Sequence, residues 1–108
     1  MSYKVLTTNN FEKEAKRLIK KYSSLKNEIV ALIDDLQHNP MQGAHVNNNI
    51  YKIRLAVASK GKGKRGGARV MTFIKVIAEE VYLFSIYSKG DKDDISQLEI
   101  KSLIQDIL

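Results

Sequence analysis

The stretch IYKIRLAV at residues 50–57 alternates apolar and polar side chains, and this alternation decides the fold class. A period of two predicts a β-strand whose odd-numbered residues, Tyr51 to Val57, face a core. Lys52 and Arg54 then project together from the opposite face. The pattern therefore predicts a sheet that is apolar on one side and carries paired cations on the other.

Further strands are predicted on both sides of this stretch. Residues 68–77 and 81–87 are rich in strand-forming side chains, and the short connection between them permits only an antiparallel hairpin. A short first strand is predicted at residues 3–7. The segment at residues 41–49 is interpreted as irregular.

Two helices are predicted between the first strand and the central stretch. Apolar residues recur with helical spacing over residues 11–22, and Asn9 or Asn10 is the expected N-cap. The same spacing recurs over residues 25–36 and ends before Pro40. The two helices are expected to form a helical hairpin.

A last helix follows the strands, because Ser96 and Glu99 have the spacing of a capping box. The order is strand, helix, helix, three strands, helix. It predicts an α+β fold with helices packed on a mostly antiparallel sheet. The 108 residues suffice for one core, so residues 1–108 are expected to form a single domain.

The composition excludes several classes of protein. There is no cysteine, which excludes disulfides and thiolate metal sites, and two histidines are too few for a metal site without carboxylate help. No apolar run approaches the roughly 18 residues that a membrane span needs. We therefore expect a cytoplasmic protein with no metal and no membrane partner.

The charge is distributed very unevenly along the chain. Between Gln37 and Ala78 there are eight basic residues and no acidic one, whereas the other ten basic residues are outnumbered by the 12 acids. The formal net charge of +6 thus comes from the middle third, which indicates a polyanionic partner such as nucleic acid. The eight are Lys52, Arg54, Lys60, Lys62, Lys64, Arg65, Arg69 and Lys75.

The glycine-rich part of this run, GKGKRG at residues 61–66, matches the pattern of a dinucleotide-binding turn. That turn must lead into a helix, whereas a predicted strand follows here, so no nucleotide cofactor is expected. The simple alternative to a binding site is a solvated hairpin loop. However, a hairpin brings Lys52, Arg54 and Arg69 together, which is destabilising unless an anion binds among them.

Three segments resemble the RelE/HigB-like toxins of toxin–antitoxin systems, which are mRNA interferases. They are YKIRLA at residues 51–56, SKGKGKRGGARV at 59–70 and YLFSIYSK at 82–89, and the glycine-rich loop is most similar to the HigB-type branch. The resemblance extends over nearly the whole chain. It implies a microbial-RNase-type fold, metal-independent cleavage of mRNA in the ribosomal A site, and an antitoxin usually encoded by the adjacent gene.

The resemblance also implies functional residues. Lys52, Arg54 and Arg69 match the family's catalytic basic residues, and Tyr87 and Lys89 are candidates for a further group at the end of the last strand. In RelE-type toxins a tyrosine of the C-terminal segment stacks on the target base. This sequence has no tyrosine after Tyr87.

The chemistry requires a base for the 2′-hydroxyl proton, cations for the phosphorane and an acid for the leaving oxygen. The basic run contains no carboxylate. His45 lies nearby in the sequence, but we expect it to be a solvated loop residue. Crowding by other cations disfavours the protonated form of Lys52, which is our hypothesis for the base. Arg54 and Arg69 would clamp the phosphate, with Tyr87 or Lys89 as acid or positioning group. The expected contacts with the RNA backbone are Lys60, Lys62, Lys64, Arg65 and Lys75.

Two other functions remain open at this point. A ParE-like gyrase inhibitor shares the fold, and a non-catalytic nucleic-acid-binding module needs only the electrostatics. For the interferase the expected partners are the ribosome, mRNA and an antitoxin segment that covers the sheet, the groove or the helical hairpin.

Overall fold

A computed structural model describes residues 2–108 and contains one five-stranded sheet. The strand order is β1-β5-β4-β3-β2, in which β1 runs parallel to β5 and every other pair is antiparallel. The predicted α+β class is confirmed, and the predicted elements occur in the predicted order, with strand β2 and helix α3 in addition. The bounds are β1 Lys4–Thr7, α1 Asn9–Lys21, α2 Leu25–Leu36, β2 Ala44–Asn47, β3 Ile50–Leu55, α3 Gly63–Gly66, β4 Ala68–Lys75, β5 Glu80–Ser88 and α4 Gln97–Ile104.

The sheet is covered on both faces. Helices α1 and α2 bury one face, where their apolar stripes pack on Ile53, Val70 and Ile86. Helix α4 covers the other face, where Ile100 packs in the same cluster as Met71. The sheet is therefore the middle of three layers, and the two faces can carry different functions.

The start of α1 differs from the prediction. Thr8, and not Asn9 or Asn10, is the N-cap, and its hydroxyl accepts a hydrogen bond from the Phe11 N–H at 3.2 Å. Asn10 already lies inside the helix, and its side-chain amide donates to the Phe84 carbonyl at 3.0 Å. The asparagine thus fastens α1 to β5, a long-range contact that local capping rules do not consider.

The start of α4 follows the prediction more closely. Ser96 is the N-cap, and its hydroxyl accepts from the Glu99 N–H at 3.1 Å. The Glu99 carboxylate accepts a hydrogen bond from Lys92 Nζ at 2.6 Å. An ion pair with a residue seven positions earlier thus engages the side chain that a capping box directs back to the N-cap.

The segment at residues 41–49 is not irregular, contrary to the prediction. Residues Ala44–Asn47 form strand β2, which pairs with β3 through a tight turn. Asn49 has a φ of 64°, a left-handed conformation that asparagine tolerates better than most residues. The strand was missed because AHVN is short and lacks a clear alternation of apolar and polar residues.

The glycine-rich segment is also more ordered than a solvated hairpin loop. A 3₁₀ turn at Ala58–Lys60 and helix α3 occupy most of it, and strand β4 follows directly. Gly67 is buried against β3, where a Cβ atom would lie 2.1 Å from the Leu55 carbonyl oxygen. Only glycine permits this approach, which closes the loop onto the sheet.

Within residues 2–108, none of the helices combines the length and apolar content needed to cross a bilayer.

Candidate functional site

Three side chains stand in one row across the sheet. Arg54 on β3 lies directly opposite Arg69 on β4, which lies directly opposite Tyr87 on β5. Lys52 is on the same face, since it is two residues from Arg54 and opposite Met71 of the α4 core. The face that carries α4 thus holds a cationic cluster of Lys52, Arg54 and Arg69, with Tyr87 beside it.

Arg69 is the buried member of the cationic cluster, with only 6% of its surface exposed. Its guanidinium donates to the carbonyl oxygens of Lys64 at 3.0 Å and Arg65 at 2.9 Å, and also to its neighbour Ala68 at 3.2 Å. These bonds fasten α3 to β4. They also direct the guanidinium towards backbone oxygens, which relieves the repulsion with Arg54.

Lys52 has a carboxylate partner that sequence reasoning missed. Its ammonium lies 3.4 Å from Asp94 Oδ1, in the segment that precedes α4. The Ile95 backbone N–H, bonded to the same oxygen at 2.8 Å, lowers the pKa of the Asp94 carboxyl, and Lys52 adds to this effect although partial burial opposes it. Asp94 thus supplies Lys52 with a counter-charge that the crowding hypothesis did not include.

Tyr87 is the buried end of the row, with 4% of its surface exposed, and its hydroxyl has no hydrogen-bond partner among residues 2–108. Burial raises the pKa of Tyr87 to about 12, and the charge of Asp94 adds to the rise while Arg69 opposes it. The phenol therefore stays protonated near neutral pH. It can donate a proton or a hydrogen bond but cannot act as the base.

Arg54 is the open member of the cationic cluster. It is exposed, and it forms no ion pair within the part of the chain that the structure describes. Together with Lys52 and Lys64 it lines a surface cavity of about 460 Å³, whose other wall is formed by residues 42–44. This groove is cationic and open to solvent, so a phosphate can approach Arg54 without displacing a protein group.

The predicted RNA contacts on the loop divide into two groups. Lys62, Lys64 and Arg65 are exposed on the loop, as RNA-backbone contacts should be. Lys60 instead donates to Ser88 Oγ at 2.7 Å and to the carbonyl oxygens of Lys89 and Gly67 at 2.9 and 3.3 Å. Its ammonium is thus used to close the base of the loop.

Of the two remaining predicted residues, Lys89 is paired with a carboxylate and Lys75 lies far from the row. The Lys89 ammonium lies 3.0 Å from Asp93 Oδ1. Lys75 is at the far end of β4, opposite Glu80, with its ammonium 5.5 Å from the centre of the Tyr82 ring. It lies six positions along β4 from Arg69, a distance of roughly 20 Å. The structure does not bring Lys75 to the cationic cluster.

The histidines do not join the cluster. His45 lies on β2, in a strand and not in the predicted loop, and its ring packs edge-on against Tyr51 at 5.2 Å. Tyr51 packs against the core beneath α1 and α2, which is the other face of the sheet. Among residues 2–108, no group of three or more histidine or acidic side chains is arranged to hold a metal ion.

These features define a small α+β protein in which cations on adjacent strands meet beside an ordered glycine-rich loop. The family model described as the RelE toxin of the RelE/RelB toxin–antitoxin system matches residues 3–106. The chain therefore belongs to the RelE toxin family. It is the toxin component of a toxin–antitoxin system, and this membership implies a cognate antitoxin.

The fold is similar to that of a solved RelE toxin. The structure of a mutant of the E. coli toxin RelE in the free state matches with a TM-score of 0.61 and 15% sequence identity, over 100% of this chain and 100% of that one. This similarity supports the predicted RelE-like fold. The HigB-type branch stays a prediction from the sequence.

Proposed function

We propose that this toxin is a ribosome-dependent mRNA interferase, which cleaves mRNA in the A site by attack of the RNA's own 2′-hydroxyl without a metal ion. The observation that carries the proposal is the row of Arg54, Arg69 and Tyr87 in register across three strands. Its exposed arginine lines an open groove. Membership of the RelE toxin family supports ribonuclease activity and action in the cytoplasm.

Each side chain has a distinct role in this proposal. Arg54 binds the scissile phosphate and stabilises the charge of the phosphorane. Arg69 holds the loop in place and adds positive potential from beneath the groove. Tyr87 is the proton donor for the leaving 5′-oxygen, which requires its buried hydroxyl to become accessible when RNA binds. Lys89 positions the end of β5.

Lys52 is the proposed base, and its two neighbours act on it in opposite directions. Arg54 repels the positive charge of Lys52, whereas Asp94, 3.4 Å away, attracts it. The base role requires Lys52 to lose a proton. An arginine at this position could not do so.

The variant Lys52→Arg tests this role. It keeps the charge and the ability to bind phosphate, so RNA affinity should stay within about threefold. Cleavage should fall by about 10²-fold or more, the usual contribution of general base catalysis. Single-turnover cleavage and RNA-binding measurements on the same protein separate the two effects. A variant that cleaves normally would reassign Lys52 to phosphate binding.

The function itself is tested by incubating the purified protein with translating ribosomes and mapping the ends of the mRNA. The proposal predicts cuts within the codon in the A site. Intact mRNA together with arrested DNA gyrase would instead favour a ParE-like inhibitor. Intact mRNA and active gyrase would favour a non-catalytic nucleic-acid-binding module.

The exposed loop cations should bind RNA without catalysing cleavage. The double variant Lys62→Ala with Lys64→Ala should weaken RNA binding and lower the slope of log K against log salt by about 1.4, roughly 0.7 for each lost phosphate contact. Removal of the same number of charges at Lys4 and Lys101, exposed residues on β1 and α4 away from the loop, should leave that slope unchanged. Equal effects of both pairs would show a response to net charge alone.

A further inference from the structure

A second cavity adjoins the cationic groove on the other side of Arg54. It lies between helix α2 and strand β3 and encloses about 400 Å³. Arg54, Lys64 and Gln42 line both cavities, so these side chains form the wall that the two share. Strand β2 pairs with β3 only as far as Lys52, and no other strand among residues 2–108 covers the outer edge of β3 beyond it. The second cavity is therefore open at this edge of the sheet.

The two cavities differ in charge. The lining of the cationic groove contains Lys52 and no acid among the residues that the structure describes. The second cavity is lined by two carboxylates of α2, those of Glu28 and Asp35, and its apolar wall includes Leu32 and Ile53. Carboxylates repel a phosphate, but they accept hydrogen bonds from the edge of a nucleobase, whose flat faces pack on apolar side chains. This distribution suits a phosphate at the shared wall and a base in the second cavity.

Gln42, in the shared wall, is held in one orientation. Its side-chain amide donates to Asp35 Oδ2 at 2.8 Å and to the Asn39 carbonyl oxygen at 3.1 Å. Both partners can only accept, so these bonds fix which end of the amide is nitrogen, and they leave a ligand only the Gln42 Oε1. The backbone beside it is fixed as well, because Gly43 has a φ of 96° and a Cβ there would lie 2.6 Å from the Lys52 carbonyl oxygen.

Asp35 and Gln42 together offer acceptors without donors. Asp35 forms no ion pair within residues 2–108, and its bond with Gln42 uses one of its two oxygens. The other carboxylate of the cavity is engaged, since the oxygens of Glu28 accept from the Ser24 hydroxyl at 3.1 Å and from the Ala58 N–H at 2.8 Å. The acceptors that remain for a ligand are therefore Asp35 Oδ1 and Gln42 Oε1.

Two acceptors side by side match a base that presents two donors side by side. Guanine does so with its N1–H and its 2-amino group, whereas adenine and cytosine each place an acceptor beside the donor, and the single donor of uracil lies between two acceptors. We propose that the cavity between α2 and β3 is a guanine subsite for the RNA substrate, in which Asp35 and Gln42 select the base and Arg54 binds the adjoining phosphate. This inference deepens the proposed function and rests on it for the class of substrate.

Binding of two short RNAs tests the subsite without ribosomes. The probes are a labelled pentanucleotide AAGAA and its counterpart with inosine in place of guanosine, which lacks only the 2-amino group and has the same stacking surface. Fluorescence anisotropy with the full-length toxin should give binding about tenfold tighter for the guanosine probe, the usual effect of one hydrogen bond to a charged acceptor. Equal binding of the two probes, or binding of neither, would overturn the proposal.

Toxin variants then locate the base. Asp35→Asn replaces an acceptor with a donor at an exposed position that the fold should tolerate, and the preference for guanosine over inosine should fall below about twofold. Gln42→Leu, which removes Oε1, should lower the preference as well. Asp34→Asn makes the same charge change at the neighbouring exposed residue, outside the cavity lining, and should keep the full preference. An Asp35→Asn protein that keeps it would overturn the assignment.

Maps of the cuts on translating ribosomes separate the subsite from the proposed function. The wild type and Asp34→Asn should cut mRNA with guanine enriched at one fixed position beside the cut, and Asp35→Asn should lose this enrichment. Cuts by the wild type with no base preference would overturn the subsite and leave the interferase proposal intact. Guanine-selective binding of the pentanucleotide by a toxin that cuts no mRNA would support the subsite and contradict the interferase proposal.

Discussion

Replacing Arg54 with alanine should lower mRNA cleavage by about 10²–10³-fold, the usual loss when one group that stabilises transition-state charge is removed. Arg54 is exposed and makes no ion pair within residues 2–108. The free energy of unfolding should therefore change by less than about 0.5 kcal/mol. Cleavage on translating ribosomes and urea unfolding, measured on the same preparation, separate chemistry from folding.

Arg17→Ala is the matched control for this variant. It removes the same charge from an exposed position on α1, which packs on the opposite face of the sheet. Equal losses in both variants would show that net charge alone matters. Undiminished cleavage by the Arg54 variant would remove Arg54 from the catalytic site. Arg69→Ala is a poorer test, because it removes the three hydrogen bonds that the guanidinium donates to backbone carbonyls and so lowers stability as well.

The second large effect is expected at Gly67. A Cβ atom at this position would lie 2.1 Å from the backbone oxygen of Leu55, which cannot move without disturbing β3. The Gly67 carbonyl also accepts from the Lys89 N–H at 2.9 Å and from Lys60 Nζ at 3.3 Å. Gly67→Ala should therefore displace the loop from the sheet and lower the free energy of unfolding by more than about 2 kcal/mol.

Gly63→Ala serves as the comparison in urea unfolding. No atom lies within 4 Å of a Cβ at Gly63, but its φ of 63° is left-handed, so the expected cost is only about 1 kcal/mol. A Gly67 variant that is no less stable than the Gly63 variant would contradict the close approach of the loop to β3.

The elements with strong local signals were predictable. The alternation in IYKIRLAV sets β3 and places Lys52 and Arg54 on one face, and Ser96 alone locates the start of α4. Strand β2 was not predictable, because its four residues have no clear pattern and are ordered by pairing with β3. Local periodicity therefore predicted the layers and the β1 edge of the sheet but not the β2 edge.

The details of the site were less predictable than its location. Pairing of β3 with β4 was enough to bring the cations together, so their proximity followed from the sequence. Asp94 lies 42 residues from Lys52 along the chain, and only the path of the segment before α4 brings the two together. The acceptors of Lys60 and Arg69 are backbone oxygens whose positions depend on the loop conformation. Contacts of this kind have no sequence pattern.

The most direct test of the proposed chemistry is the chemical state of the new ends when the wild-type toxin cuts ribosome-bound mRNA. Attack by the 2′-hydroxyl leaves a 2′,3′-cyclic phosphate on the upstream fragment and a 5′-hydroxyl on the downstream one. The proposal predicts these ends at A-site cuts, and their loss in Arg54→Ala. A 3′-hydroxyl upstream with a 5′-phosphate downstream would show attack by water and contradict the mechanism.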